Sequence, residues 1–278
     1  MAELKEPSMK TLNEKKEQIL SRIYEHNLRP WSVSDGNIFM VSDTYPGVWL
    51  EHTYDAIAWA SYMPGEHTVS RNQVKLFMDL QKEDGQLPKH ICKNDTGYAS
   101  LQECVSFTTL AYEACLQNPD DIAFLEQCYD SCVKWDNWLT KYRMPHNKGL
   151  IEMFCGFDTG HDNSGRLWGL NYPCDYSDDA RKFPPDDPIL PILAPDMNAV
   201  FYGDRIGLSK LAAKLGKHKE AIEWQKKADA VKAALFENCY DFEDEFFYDV
   251  DRNGNKRKVK SCYITNVLSE GVVDFELG

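Results

Sequence analysis

Apolar positions recur at helical spacing along most of the chain. Between residues 12 and 28, Leu12, Ile19, Leu20, Ile23 and Tyr24 are set among Lys and Glu, the pattern of an amphipathic helix. Residues 49–62 carry Trp49, Leu50, Tyr54, Ile57 and Ala58 and stop ahead of Pro64 and Gly65. Residues 69–82 carry Val74, Phe77 and Met78 and stop at Gly85 and Pro88. The longest predicted helices are 98–117, halted by Asn118-Pro119, and 122–142. Two more, 197–215 and 219–236, follow a loop rich in Pro and Asp, and Gly216 is placed to terminate the first of them. Strand signals are few. Residues 37–41 predict one short strand, and 246–250, turning at Asn253-Gly254 and returning through Lys258 and Val259, predict a hairpin. The run Asp249-x-Asp251-x-Asn253-Gly254 imitates the start of a calcium-binding loop. It places Lys260 where the bidentate Glu is needed, so it reads as a turn. No linker divides the chain. The expectation is an all-α single domain, residues 1–278, of paired helices with a small β-hairpin. Short connections alternate with long ones rich in Gly, Pro, Asp and aromatics, which predicts that the long loops gather at one end and build a site there.

The loop that stands out is Gly156-Phe157-Asp158-Thr159-Gly160-His161-Asp162-Asn163-Ser164-Gly165-Arg166. Acids, an amide, hydroxyls and an arginine are interleaved with three glycines that let the backbone turn sharply. Phe154 precedes the loop, and Trp168 and Tyr172 follow it. Aromatic faces beside carboxylates suit a sugar ring, whose C–H face stacks while its hydroxyls demand hydrogen bonds. The same composition also fits a plain polar connection between helices. Asp162, flanked by His161 and near aromatic side chains, is the candidate proton donor, because an apolar wall or a neighbouring carboxylate can keep a carboxyl protonated.

Composition narrows the ligand. A formal net charge of −13 argues against nucleic acid and anionic membrane surfaces, and suits a small neutral ligand. No run approaches the roughly 18 apolar residues of a membrane span, and the start of the chain lacks the apolar segment of a signal peptide. The nine cysteines show no Cys-x-x-Cys pair and read as reduced thiols of a cytoplasmic protein. Cys128 and Cys132 share a helical face, but nothing completes a metal site around them, and no metal or organic cofactor is expected.

Four segments together carry a resemblance. Residues 156–166 resemble the Glu-Ser-Gly-x-Asp-Asn-Ser-Pro-Arg signature of the (α/α)6-barrel glycosidases of glycoside hydrolase family 63, the group of processing α-glucosidases and mannosylglycerate hydrolase, with trehalases more distant. Trp49-Leu50-Glu51-His52-Thr53-Tyr54-Asp55 is similar to a Trp and Asp region ahead of the second barrel helix. Gln81-Lys82-Glu83-Asp84-Gly85-Gln86-Leu87-Pro88 is similar to a Gln-x-x-Asp-Gly-x-(Ile/Leu)-Pro segment, and Pro195-Asp196-Met197-Asn198-Ala199 to Val-Asp-Leu-Asn-Ala. The motifs occur in the family's order across about residues 45–260. The resemblance implies an (α/α)6 toroid and inverting cleavage of an α-linked gluco- or manno-configured sugar, with Asp162 as general acid. It implies pocket roles for Trp49, Tyr54, Asp55, Gln81, Asp158, Asn163, Arg166, Asp196 and Asn198. Asp158 stands where the family has Glu, and Gly165 where it has Pro.

The family's catalytic base is a Glu in the last part of the barrel. This chain ends 116 positions after Asp162 (278 − 162), and Glu243, Glu245, Glu270 and Glu276 do not sit in a comparable context. The expectation is therefore the N-terminal part of a toroid, with the base outside the chain. The isolated chain would then be inactive and prone to self-association through an exposed apolar face. Two other classes stay open, a non-catalytic helical scaffold or carbohydrate-binding module, and an (α/α)6 lyase or phosphorylase. Residue by residue, Trp49 and Tyr54 also fit core aromatics, Asp196 a helix N-cap, and His52 and His161 hydrogen-bonded structural groups. The acidic loop 175–187 reads as solvated surface.

Overall fold

The computed structural model describes residues 9–31, 36–42, 44–63 and 65–273. Eight helices are found among them: α1 (Met9–His26), α2 (His52–Tyr62), α3 (Thr68–Asp79), α4 (Phe107–Gln117), α5 (Ile122–Tyr142), α6 (Pro195–Lys214), α7 (His218–Asn238) and α8 (Ile264–Ser269). Consecutive helices pack as pairs, α2 on α3, α4 on α5 and α6 on α7, and α6 also touches α4, α5 and α8. Helix α6 buries 14 of its 20 residues, including Asp196, Asn198, Asp204 and Arg205, whereas α7 buries only Ala221, Trp224, Ala228, Val231 and Leu235. A helix buried all round is an inner helix, and one with a single buried stripe is an outer one. The chain thus forms layers of inner and outer helices around one large core, with a satellite cluster of Leu28, Phe39, Ala56, Trp59, Ala60 and Val69 beneath α1.

Polar ties fix the inner layer. Asp204 of α6 accepts from Ser106 Oγ and Thr108 N, both at 2.9 Å, at the start of α4. Arg205 donates through Nε to Asp136 Oδ1 of α5 at 2.7 Å. Gly207 lets the backbone of α4 approach, since a Cβ there would lie 2.7 Å from Thr109 N.

Several expectations are corrected. The helix predicted from residue 98 begins at Phe107, because Ser106 is an N-cap whose hydroxyl accepts from Thr109 N. Residues 98–105 are freed to run as a loop. Trp49 ends a short strand, Gly47–Trp49, which pairs antiparallel with His90–Cys92, itself paired with Asp95–Gly97. Within the predicted hairpin, Asp249–Val250 does turn back, but onto Lys256–Arg257 and not onto Lys258 and Val259. Asp251 Oδ1 accepts from Asn253 N and Asn255 N at 2.8 and 2.9 Å and tightens the turn. Phe246–Phe247 pairs instead with Tyr240–Asp241. Asp249–Val250 continues through Ile192–Leu193 to Glu152–Met153, giving a four-stranded sheet beside the glycine-rich loop. The residues around Leu12 and Ile19 do form a helix, yet both side chains are exposed, while Leu20 and Ile23 pack on the satellite cluster and the Tyr24 ring lies 6.4 Å from that of Trp59.

Candidate active site

The glycine-rich loop is held by its own first acid. Asp158 closes a 3-10 turn, Gly156–Thr159. Its Oδ2 accepts from Phe154 N at 2.7 Å and Cys155 N at 3.2 Å, and its Oδ1 from Leu101 N at 2.7 Å. The Arg143 guanidinium completes the set, bonding the same Oδ2. Asp158 is wholly buried. A carboxylate with four donors and no exposed surface shapes the loop and cannot meet a substrate, which corrects its expected place among the pocket residues.

Past this turn the backbone is left-handed at Gly160 (φ 67°) and at Asn163 (φ 60°), and Asn tolerates that region better than most residues. The two reversals present Asp162 and Asn163 outward, and both are exposed. A Cβ on Gly160 would lie 2.9 Å from both Cys104 Sγ and Gln102 Nε2. We expect Gly160→Ala to destabilise the fold by more than about 1 kcal/mol, from the positive φ together with this contact. A denaturant titration with an unchanged midpoint would contradict that.

Arg166 turns inward. Its NH1 and NH2 grip both oxygens of Asp196 at 2.5 and 2.9 Å, Nε reaches Asp249 Oδ2 at 2.8 Å, NH2 bonds Asp249 Oδ1, and the plane lies 4.2 Å over the Tyr263 ring. Burial alone would raise Asp196, but the Arg166 and His161 charges outweigh it and hold that carboxyl well below its usual range. His161 Nδ1 lies 3.1 Å from Asp196 Oδ2 without the alignment of a hydrogen bond, so this contact is electrostatic. Asp196 is thus no N-cap: it sits in the first turn of α6, behind Pro195, as a counter-ion. Asn198 is wholly buried and clamps Ile151 N (2.8 Å) and Ile151 O (2.9 Å). Gln81 bonds Gly85 O at 2.8 Å and exchanges bonds with Ser131, pinning the 82–88 turn to α5. For Arg166, Asp196, Asn198 and Gln81, direct substrate contact is therefore also corrected, because each is spent on internal partners.

The cavity that contains Asp162 measures about 460 Å³ and is lined by Tyr45, Trp49, Glu51, His52, Lys89, His90, Gln102, Phe157 and Gly160, among others. That volume falls in the range of small-ligand sites. Tyr45 and Trp49 stack at 4.5 Å with 12° between their planes and form an aromatic wall. Lys89 reaches Asp175 Oδ2 at 2.6 Å and Ser100 Oγ at 3.1 Å. Asp175 is therefore an ion-pair partner, and Asp187 is buried as an acceptor for Asn171 N, Ile189 N and Leu190 N, so the 175–187 loop is not merely solvated. Tyr54 is exposed and Asp55 half-buried on α2, both outside the cavity lining. Asp162 is pushed up from its ordinary value, first by burial and then by the Glu51 charge, with Lys89 and His161 opposing. Sequence reasoning missed Glu51, Lys89, His90, Gln102 and Phe157 as cavity residues. Glu51 and Phe157 lay inside quoted motifs, but no spacing rule marked which way they face.

A family model, the mannosylglycerate hydrolase MGH1-like glycoside hydrolase domain, matches residues 50–264. The chain belongs to that family. It is a glycosidase, and its fold is that of the (α/α)-barrel enzymes. A glycoside hydrolase family 63 mannosylglycerate hydrolase from Thermus thermophilus, solved with glucose, superposes with a TM-score of 0.70 at 18% identity, covering 96% of this chain and 73% of that one. Neutral trehalase from Saccharomyces cerevisiae gives 0.68 at 13% identity, covering 91% and 56%. A family 78 rhamnosidase from a Bacillus species gives 0.56 at 16%, covering 83% and 22%. No curated protein matches the sequence. Among the described residues, no helix is long and apolar enough to cross a membrane.

Proposed function

We propose that this glycosidase cleaves an α-linked gluco- or manno-configured sugar with inversion, and that Asp162 protonates the departing oxygen. The observation that carries the reading is the placement of Asp162: it is an exposed carboxyl in a cavity with an aromatic wall, held above its ordinary proton affinity. Such a group stays protonated to higher pH than an ordinary carboxyl, the direction a proton donor needs. Trp49 and Tyr45 offer a face for the sugar ring, and Glu51, His52, His90 and Gln102 offer hydrogen-bonding groups for its hydroxyls. Arg166, Asp158, Asp196 and Asn198 act behind the surface by holding the loop that carries Asp162 and Asn163. Tyr54 and Asp55 are left to the rim. An inverting mechanism also needs a water-activating carboxylate roughly 6.5–9.5 Å from the donor, and this reading assigns none among residues 1–278. The glucose held by the Thermus enzyme, a structural relative, supports a hexose as the class of ligand.

The test is a screen of aryl and disaccharide α-glycosides in the gluco and manno series against the full-length protein, with the anomer of the released sugar followed by NMR. Release of the β-anomer supports the reading, and release of the α-anomer overturns inversion. Trp49→Ala should raise KM by about 10- to 100-fold, from lost apolar contact worth roughly 1.5–3 kcal/mol, while circular dichroism stays unchanged. An unaltered KM would remove Trp49 from the sugar platform.

A further inference from the structure

Glu51 precedes α2 and lines the cavity together with Asp162. Two donors converge on one of its oxygens, Gln102 Nε2 at 3.0 Å and Cys104 Sγ at 3.1 Å, both on Oε2. No group among the described residues bonds to Oε1. Both donors are uncharged, the first an amide and the second a thiol that burial, and then Glu51 itself, push well above the usual range.

The basic groups nearby are engaged elsewhere. Lys89 pairs with Asp175 at 2.6 Å, His90 with Asp95 at 2.9 Å, and His161 lies 3.1 Å from Asp196. His52 accepts from Trp49 N through Nδ1 at 3.2 Å. Among the described residues no ion pair includes Glu51. Asp55, one turn along α2, does not line the cavity.

The loop of Asp162 is seated on the same clamp. Gly160 packs against Gln102 Nε2 and Cys104 Sγ, and the intervening Glu103 N donates to Asp158 O at 2.9 Å. Residues 101–104 therefore set the spacing between Glu51 and the Asp162 loop. We infer that Glu51 is a positioning residue of this site: its clamped carboxylate, with no cationic partner among the described residues, opposes a second negative charge at Asp162 across the shared cavity. The inference rests on the reading of Asp162 as proton donor.

The physics is mutual repulsion. Two carboxylates that share a partly dry site do not both ionise as readily as either alone. A general acid works only while protonated, so a raised titration extends activity toward higher pH. Removing the Glu51 charge draws the alkaline limb of kcat/KM to lower pH.

The experiment is a carboxyl NMR titration of the full chain carrying 13C-labelled Asp and Glu, in wild type, Glu51→Gln, Glu51→Ala, Glu51→Asp and Asp162→Asn. In Glu51→Gln, which keeps an acceptor for Gln102 and Cys104, Asp162 is expected to titrate at lower pH, and Glu51→Asp should restore it. Asp162→Asn removes the Asp162 resonance and so assigns it, and in Glu51→Ala, the second charge-removing variant should Glu51→Gln fail to fold, Asp162 should likewise titrate at lower pH. The alkaline limb of kcat/KM, followed across the whole pH range in which the fold is intact, should move to lower pH in Glu51→Gln. An unmoved Asp162 titration in the charge-removing variants overturns the inference. A lowered Asp162 titration with an unmoved rate profile overturns Asp162 as donor while leaving the coupling in place. Loss of turnover at every pH, with Asp162 titrating as before, also overturns it and gives Glu51 a direct role on substrate or water.

Discussion

In the complete enzyme, Asp162→Asn is expected to lower kcat on α-glycosides with poor leaving groups by ~10²–10⁴-fold, the range of general acid catalysis. Glycosyl fluorides, whose leaving group departs without a proton, should be spared much more. The side chain is exposed, so the melting transition should stay in place. Asp158→Asn gives the contrast. It removes the charge that faces Arg143 in a wholly buried pair, so it should depress both substrate kinds alike and lower the melting temperature. A selective effect of Asp158→Asn, with an equal collapse on both substrates for Asp162→Asn, would reverse the assignment.

Replacing Arg166 should have the largest effect on stability. Arg166→Met leaves Asp196 and Asp249, each about 1% exposed, without their shared cation. Breaking a buried ion pair by deleting one partner costs roughly 3–5 kcal/mol, which at roughly 2–4 °C per kcal/mol lowers the melting temperature by on the order of 10 °C. Arg166→Lys should recover only part of this, because an ammonium cannot hold two carboxylates in the forked geometry. Asp196 is held below its usual value, so the stability it contributes is present above the ordinary 3.8 and fades only as pH falls through its lower folded value. A melting shift under about 2 °C for Arg166→Met at neutral pH would show that the three groups are not the tie described here.

The helices were largely legible because their apolar spacing reports burial directly. Residues 122–142 coincide with α5, and 219–236 lies within α7. The misread start of α4 has a local cause. Residues 98–105 contain Leu101 and Val105 at helical spacing, but Ser106 competes as a cap and Leu101 N is taken by Asp158. Trp49 was assigned to a helix because strand pairing with His90, 41 positions away (90 − 49), leaves no trace in a local window.

The chemistry of the glycine-rich loop, its family and the identity of Asp162 as donor candidate all came from residue types in order along the chain, because a motif is a local property. Which polar residues of the motifs face the cavity did not, because that depends on partners far apart in sequence. Arg166 meets Asp249 across 83 positions, Asp158 meets Leu101 across 57, and Glu51 meets Gln102 across 51. One composition therefore divides into buried ties and cavity-lining groups only when helices and strands have packed. A carboxylate surrounded by donors in the interior becomes structure, and one that lines the cavity beside an aromatic wall keeps an exposed carboxyl.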